Sequence, residues 1–166
     1  MKRFLILAAA FVAAMGLMAI GWAASSRTVE RPTPTVTGPA QVSKVSSMKV
    51  GQLTRSWLTI SPTAALPKSA PIIVVLSGIG ASSSVESRRD RLIPYVDADK
   101  AEVIYPVAFK ESWDAGGCCG AAAKLKVDDA SFLEKLVPVV DHGHARPIYF
   151  VGYSNGGRMV YDLECT

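Results

Sequence analysis

The sequence predicts an α/β domain built on a parallel sheet, and three observations carry that reading. Pro71 to Leu76 (P-I-I-V-V-L) is a short, unbroken apolar run rich in β-branched residues, the pattern of a parallel strand covered on both faces. Strand-like runs then alternate with stretches of helical spacing, an order that calls for right-handed crossovers within one sheet. Finally, the apolar run Pro147 to Val151 leads into Gly152-Tyr153-Ser154-Asn155-Gly156, and a helix-compatible stretch, Gly157 to Glu164, follows. Strand, G-x-S-x-G and helix are the parts of a nucleophile elbow, the tight turn that holds a serine hydroxyl out above a sheet.

The chain has 166 residues, 49% hydrophobic and 19% charged, enough for one buried core. Residues 1–24 stand apart from it. Lys2-Arg3 precedes a continuous apolar run from Phe4 to Trp22, and the small residues Ala23 and Ala24 follow. That is the make-up of a secretory signal peptide, and the run is long enough to serve instead as an uncleaved anchor. Either way the remainder is expected outside the cell or at the outer side of the plasma membrane, with membrane contact through this segment alone. Residues 25–48 carry Pro32, Pro34, Gly38 and Pro39 among Ser and Thr and read as a linker, which leaves 49–166 as the folded part.

Within that part, Arg55 to Ile60 alternates as a strand does, and Ser61-Pro62 ends it. After the Pro71–Leu76 strand comes a loop of small residues, Ser77-Gly78-Ile79-Gly80-Ala81-Ser82. Val85 to Val96 has helical character with Ser84 as its cap, and Glu102 to Tyr105 is a strand closed by Pro106. Trp113 to Gly120 (W-D-A-G-G-C-C-G) has three glycines in eight residues and cannot be regular structure. Phe132, Leu133, Leu136, Val137 and Val140 recur at helical spacing after Asp128-Asp129, which is read simply as a helix start. In a parallel sheet, ligands bind beyond the carboxyl ends of the strands. The loop after Leu76, the loop after Tyr105 and the elbow should therefore open on one edge.

Those loops point to acyl chemistry. Ser154 is the predicted nucleophile, placed at a helix N-terminus where the dipole favours negative charge. The Asn155 backbone N–H is one expected oxyanion donor, and the loop after Leu76 should give the second from Ile79 or a neighbour. Trp113 either lines a substrate pocket or plugs the core. His142 and His144 enter the amino end of the last strand, the wrong edge for a catalytic base, and read as surface residues.

Other chemistries fit poorly. The net charge of +4 is modest and scattered, clustering only at Arg88-Arg89 and Arg91, so no nucleic-acid partner is expected. Gly78-Ile79-Gly80 lacks the third glycine and the later acid of a dinucleotide site, and no cofactor is expected. Cys118, Cys119, His142 and His144 lack zinc-ligand spacing, so no metal is expected. In an exported chain the three cysteines are disulfide candidates. Neighbouring cysteines pair with difficulty, which favours a bond from Cys165 to Cys118 or Cys119.

Four stretches resemble the secreted polyhydroxybutyrate depolymerase and feruloyl esterase group of α/β-hydrolases. They are Arg55-Ser56-Trp57-Leu58; Pro71 to Ser82; Trp113 to Gly120 with Val127-Asp128-Asp129-Ala130-Ser131-Phe132-Leu133; and Val151 to Cys165. The resemblance implies an exported serine esterase acting on polyester, hydroxycinnamoyl or acetyl esters, with Ser154 at the nucleophile position. Two departures stand out. Where the family has His-Gly after its oxyanion strand, this chain has Ser77-Gly78. The family's acid and histidine follow the nucleophile, whereas this chain reaches Thr166 soon after it. The expectation is thus an α/β-hydrolase fold truncated after the elbow and its helix, inactive or incomplete by itself. The alternative is a non-catalytic exported remnant or binding module. A truncated fold would also leave Ile148, Phe150 and Val151 on a bare sheet edge.

Overall fold

The structure is a computed structural model that describes residues 41–165. Five strands form one sheet: β1 (Gln41–Val50), β2 (Leu53–Pro62), β3 (Ile72–Leu76), β4 (Glu102–Pro106) and β5 (Ile148–Gly152), in the spatial order β1-β2-β4-β3-β5. The helices are α1 (Ser83–Arg89), α2 (Ile93–Asp97), α3 (Gly120–Leu125), α4 (Asp129–Asp141) and α5 (Asn155–Glu164).

The predicted parallel sheet is realised by β3, β4 and β5, with β3 in the middle. The other half of the sheet is antiparallel, β1 against β2 and β2 against β4. Gly51, at φ 56°, forms a tight reversal between β1 and β2 with Gln52. So short a connection can only join antiparallel strands.

β1 also begins inside the stretch read as linker. It pairs with β2 along its whole length, from Gln41 against Pro62 to Val50 against Leu53. Most of its side chains are exposed, and Ser and Lys occupy several of them, so the hydrophobic alternation that announces a strand is weak there. The N-terminal apolar segment and the Pro-rich part of the linker lie outside the described residues.

The single helix expected over 85–96 is two short ones. Ser82, not Ser84, caps α1 by accepting the Val85 N–H at 3.3 Å. The chain then turns at Arg91, with φ 59°, and the Asp90 carboxylate accepts the Leu92 N–H at 2.9 Å. Pro94 sits in the first turn of α2, where its missing N–H costs nothing. By contrast, α4 starts where the sequence places it, with Asp128 as N-cap accepting the Ser131 N–H at 3.0 Å.

Alternation along β3 divides the core into two layers. Ile72, Val74 and Leu76 face Trp113, Phe132, Leu133, Leu136 and Met159 on the side covered by α4 and α5. Val75 faces Ile60, Val96, Val103 and Tyr105 on the side of α2. Coverage of both faces explains the unbroken apolar composition of β3. Among the described strands β5 is marginal, with Tyr149 57% and Val151 41% exposed. Of the three residues expected on a bare edge, Val151 is exposed, whereas Ile148 and Phe150 are half-buried against the core.

Candidate active site

Ser154 occupies the sharp bend between β5 and α5. Its φ of 52° and ψ of −116° lie where a side chain is strained, and it is solvent-exposed at the N-cap of α5. The flanking glycines explain how the bend closes. A Cβ on Gly152 would stand 2.6 Å from the Gly157 nitrogen, and one on Gly156 would stand 2.6 Å from the Leu76 carbonyl carbon. Neither position has room for a side chain. The bend is stitched to the end of β3 by the Tyr153 N–H donating to the Leu76 carbonyl at 3.1 Å.

The loop after β3 runs beside the serine, close enough that a Cβ on Gly78 would lie 3.5 Å from the Ser154 Cβ. The Gly80 N–H donates to the Glu111 carbonyl at 2.9 Å, and the Ala81 N–H to the Gly78 carbonyl at 3.2 Å. Ile79 lies between these engaged amides and Gly78, with its side chain exposed. Asn155 is the first residue of α5, and an amide there has no acceptor within the helix.

The Asn155 side chain, in contrast, is buried and fully engaged. Its Oδ1 accepts the Trp113 N–H at 2.8 Å, and its Nδ2 donates to the carbonyls of Trp113 and Cys118, both at 3.1 Å. Trp113 itself has no exposed surface, and its indole N–H donates to the Ser77 carbonyl at 3.0 Å. Of its two predicted roles, the structure excludes the pocket wall: a ring enclosed between β3 and α4 cannot meet a ligand.

The predicted pairing of Cys165 is corrected as well. Cys118 is bonded to Cys119, across a cis peptide bond, and Cys165 is a free, exposed thiol. Cys118 lies against the first turn of α5, whereas Cys165 caps the far end of this 10-residue helix. That separation is roughly 15 Å along the axis, beyond the reach of a disulfide.

Asp129 does more than start a helix. Its Oδ1 pairs with Arg55 of β2 at 2.6 Å, with both side chains buried, and its Oδ2 accepts the Asp114 N–H at 2.8 Å. The Arg55 guanidinium also lies 4.2 Å from the centre of the Phe132 ring. Burial pushes the Asp129 carboxyl up, opposed by the Asp114 N–H and by Arg55. The sequence reading gave Arg55, Asp129 and the Asn155 side chain no such part. The signal available was the co-occurrence of R-S-W-L, W-D-A-G-G-C-C-G and V-D-D, segments that prove to be in mutual contact.

His142 and His144 are exposed in the loop entering β5. Ser154 leaves the other end of that strand, roughly 17 Å away at the usual rise per residue. Among the described residues, no group of three His, Cys, Asp or Glu side chains is placed to hold a metal ion. Beside the elbow, Val75, Glu86, Leu92, Val151 and Tyr153 line an open cleft of about 700 Å³.

Strand order, the strand-turn-helix bend at Ser154 and the loop after β3 that runs beside it together decide the architecture. The described residues have the α/β-hydrolase fold. Solved structures agree. An esterase from an Arctic intertidal metagenomic library superimposes with a TM-score of 0.56 at 16% identity, over 76% of this chain and 56% of its own. An S-formylglutathione hydrolase from Agrobacterium tumefaciens gives 0.54 at 15%, over 74% and 52%. Brefeldin A esterase, a bacterial homologue of human hormone-sensitive lipase, gives 0.55 at 15%, over 81% and 37%. In sequence, the chain is 30% identical over 151 residues to NocK of Nocardia uniformis subsp. tsuyamanensis, a protein named as an esterase. That match takes in 85% of this chain and 43% of NocK. The chain thus spans about half the length, or less, of the proteins it matches. No protein-family model matches it.

Proposed function

We propose that this chain carries the nucleophile half of a serine esterase, with Ser154 as the attacking group and the N–H groups of Asn155 and Ile79 as the oxyanion donors. The observation that carries the proposal is the Ser154 backbone, held at φ 52° between two glycines that admit no side chain, at the carboxyl edge of the parallel strands. Strain of this kind persists only where the surroundings impose it. In the reaction, the Ser154 oxygen bonds to the ester carbonyl carbon and its proton passes to a base. The two amides hold the oxyanion, and the alcohol leaves with a proton to give an acyl-serine that water then cleaves. Resemblance to the polyhydroxybutyrate depolymerase and feruloyl esterase group favours polyester, hydroxycinnamoyl or acetyl esters as substrates. It also favours an exported protein, consistent with the apolar N-terminal run.

His142 and His144 stand at the wrong end of β5 to act as the base. The 166-residue chain is therefore expected to turn over esters slowly by itself. That same position of the histidines, with Ser77 in place of the family's histidine, favours the second reading, a non-catalytic exported module. Incubation with p-nitrophenyl acetate in imidazole buffer, which supplies an external base, tests both. Acetyl-Ser154 found by mass spectrometry, and lost in Ser154→Ala, supports the esterase reading. Acetylation that is absent, or unchanged in Ser154→Ala, favours the second.

A further inference from the structure

We infer that Trp113 is a positioning residue that sets the distance between the two oxyanion donors. The inference rests on the Ser154 reading and extends it. The two donor peptides belong to different loops, one after β3 and one after β5, and an oxyanion site works only if both amides aim at one point. Trp113 is tied to each loop through a different part of itself. Its backbone N–H and carbonyl hold the Asn155 side chain at 2.8 and 3.1 Å, and its indole N–H holds the Ser77 carbonyl, two residues before Ile79, at 3.0 Å. The residue is fully buried, so water does not compete for these bonds. A second tie, from Gly80 to the Glu111 carbonyl at 2.9 Å, holds the far side of the same loop to the segment leading to Trp113. Ser77 offers no side-chain substitute: its Oγ is buried with no hydrogen-bond partner among the described residues, so the loop's side-chain anchoring here falls to the indole.

The test uses the full chain and Trp113→Phe, which keeps a packed ring and removes the indole N–H. Backbone hydrogen exchange at Gly80 and Ala81, whose amides are bonded to the Glu111 and Gly78 carbonyls in the tethered loop, should quicken about 10-fold or more in the variant, with the amides of β2 and β4 unchanged. Phosphonylation by an alkyl fluorophosphonate in imidazole buffer, in which the Ser154 oxygen displaces fluoride and its proton passes to imidazole, should slow about 10-fold in its limiting rate. The concentration giving half that rate should not move. Exchange and limiting rate both unchanged would overturn the inference while leaving Ser154 in place. Label that persists in Ser154→Ala would overturn the esterase reading instead, and exchange would still decide the bridge. Should Trp113→Phe fail to fold, the wild-type indole proton decides. Protection comparable to a core amide supports the bond, and exchange as fast as that of free tryptophan overturns it.

Discussion

Arg55 on β2 and Asp129 at the start of α4 form an ion pair at 2.6 Å, enclosed in the core beneath the W-D-A-G-G-C-C-G loop. The carboxylate holds that loop through the Asp114 N–H, and the guanidinium lies against Phe132. A charge so placed depends on its partner, because removing one leaves the other buried and uncompensated. Arg55→Met is expected to cost about 3–5 kcal/mol. The double change Arg55→Met with Asp129→Leu should recover a large part of that loss, although the Asp114 N–H then goes unanswered. Urea denaturation of the three proteins measures both quantities.

That pair also shows where the sequence is legible and where it is not. Regular elements with a buried face announce themselves: the β-branched run of β3 suits a strand covered on both sides, and the spacing of Phe132, Leu133 and Leu136 in α4 suits a helix with one buried stripe. The elbow is equally plain: its two glycines are required by local geometry, and the serine stands at fixed spacing between them. β1 is hidden because an exposed strand at the sheet margin needs little apolar patterning. Arg55, Asp129, Asn155 and Trp113 are hidden for another reason. Their partners are set by tertiary approach between segments far apart in the chain, and periodicity carries no information about that. The cysteines mislead because pairing depends on where α5 ends relative to the loop at its start, a distance set by the fold.

The other aspartate of that turn, Asp128, makes a pH-dependent contribution. It caps α4, and the Ser131 N–H and hydroxyl hold its carboxyl below the usual carboxylate range. A depressed folded pKa means that the unfolded chain binds the proton first as acid is added. The cap's contribution is therefore complete above the ordinary aspartate range and is lost as pH falls through the depressed folded value. Asp128→Ala should cost about 1 kcal/mol at neutral pH, as caps usually do. The gap between the variant and wild type should narrow steadily below about pH 4. Thermal denaturation of both proteins across pH 7 to 3 reads the trend, and a gap that widened with acid would contradict the assignment.

Gly156 is where the elbow tolerates least. A Cβ there would press into the Leu76 carbonyl group, which belongs to the central strand and cannot withdraw without breaking the β3–β5 register. Gly156→Ala should destabilise by at least about 3 kcal/mol, the upper range for overpacking. Gly157→Ala is a suitable comparison: its Cβ would meet only the Gly152 carbonyl oxygen, at 3.0 Å, so a small shift should accommodate it. Soluble yield and melting temperature should rank wild type, Gly157→Ala and Gly156→Ala in that order.

Ser154 itself offers the sharpest separation of stability from function. At φ 52° and ψ −116° it occupies a conformation that glycine adopts freely and serine does not. Strain of this sort costs of order 1–3 kcal/mol, and structural selection alone would remove it. Ser154→Gly should therefore raise stability by about 1 kcal/mol, with part of the relief offset by glycine's greater freedom in the unfolded chain. The same change removes the hydroxyl and should abolish acetylation at this position. A melting temperature that rises while Ser154-dependent labelling disappears is the signature of a residue kept for chemistry at the expense of the fold. A fall in stability would instead mean that the serine side chain holds the bend together, and the case for its being a nucleophile would lose its main support.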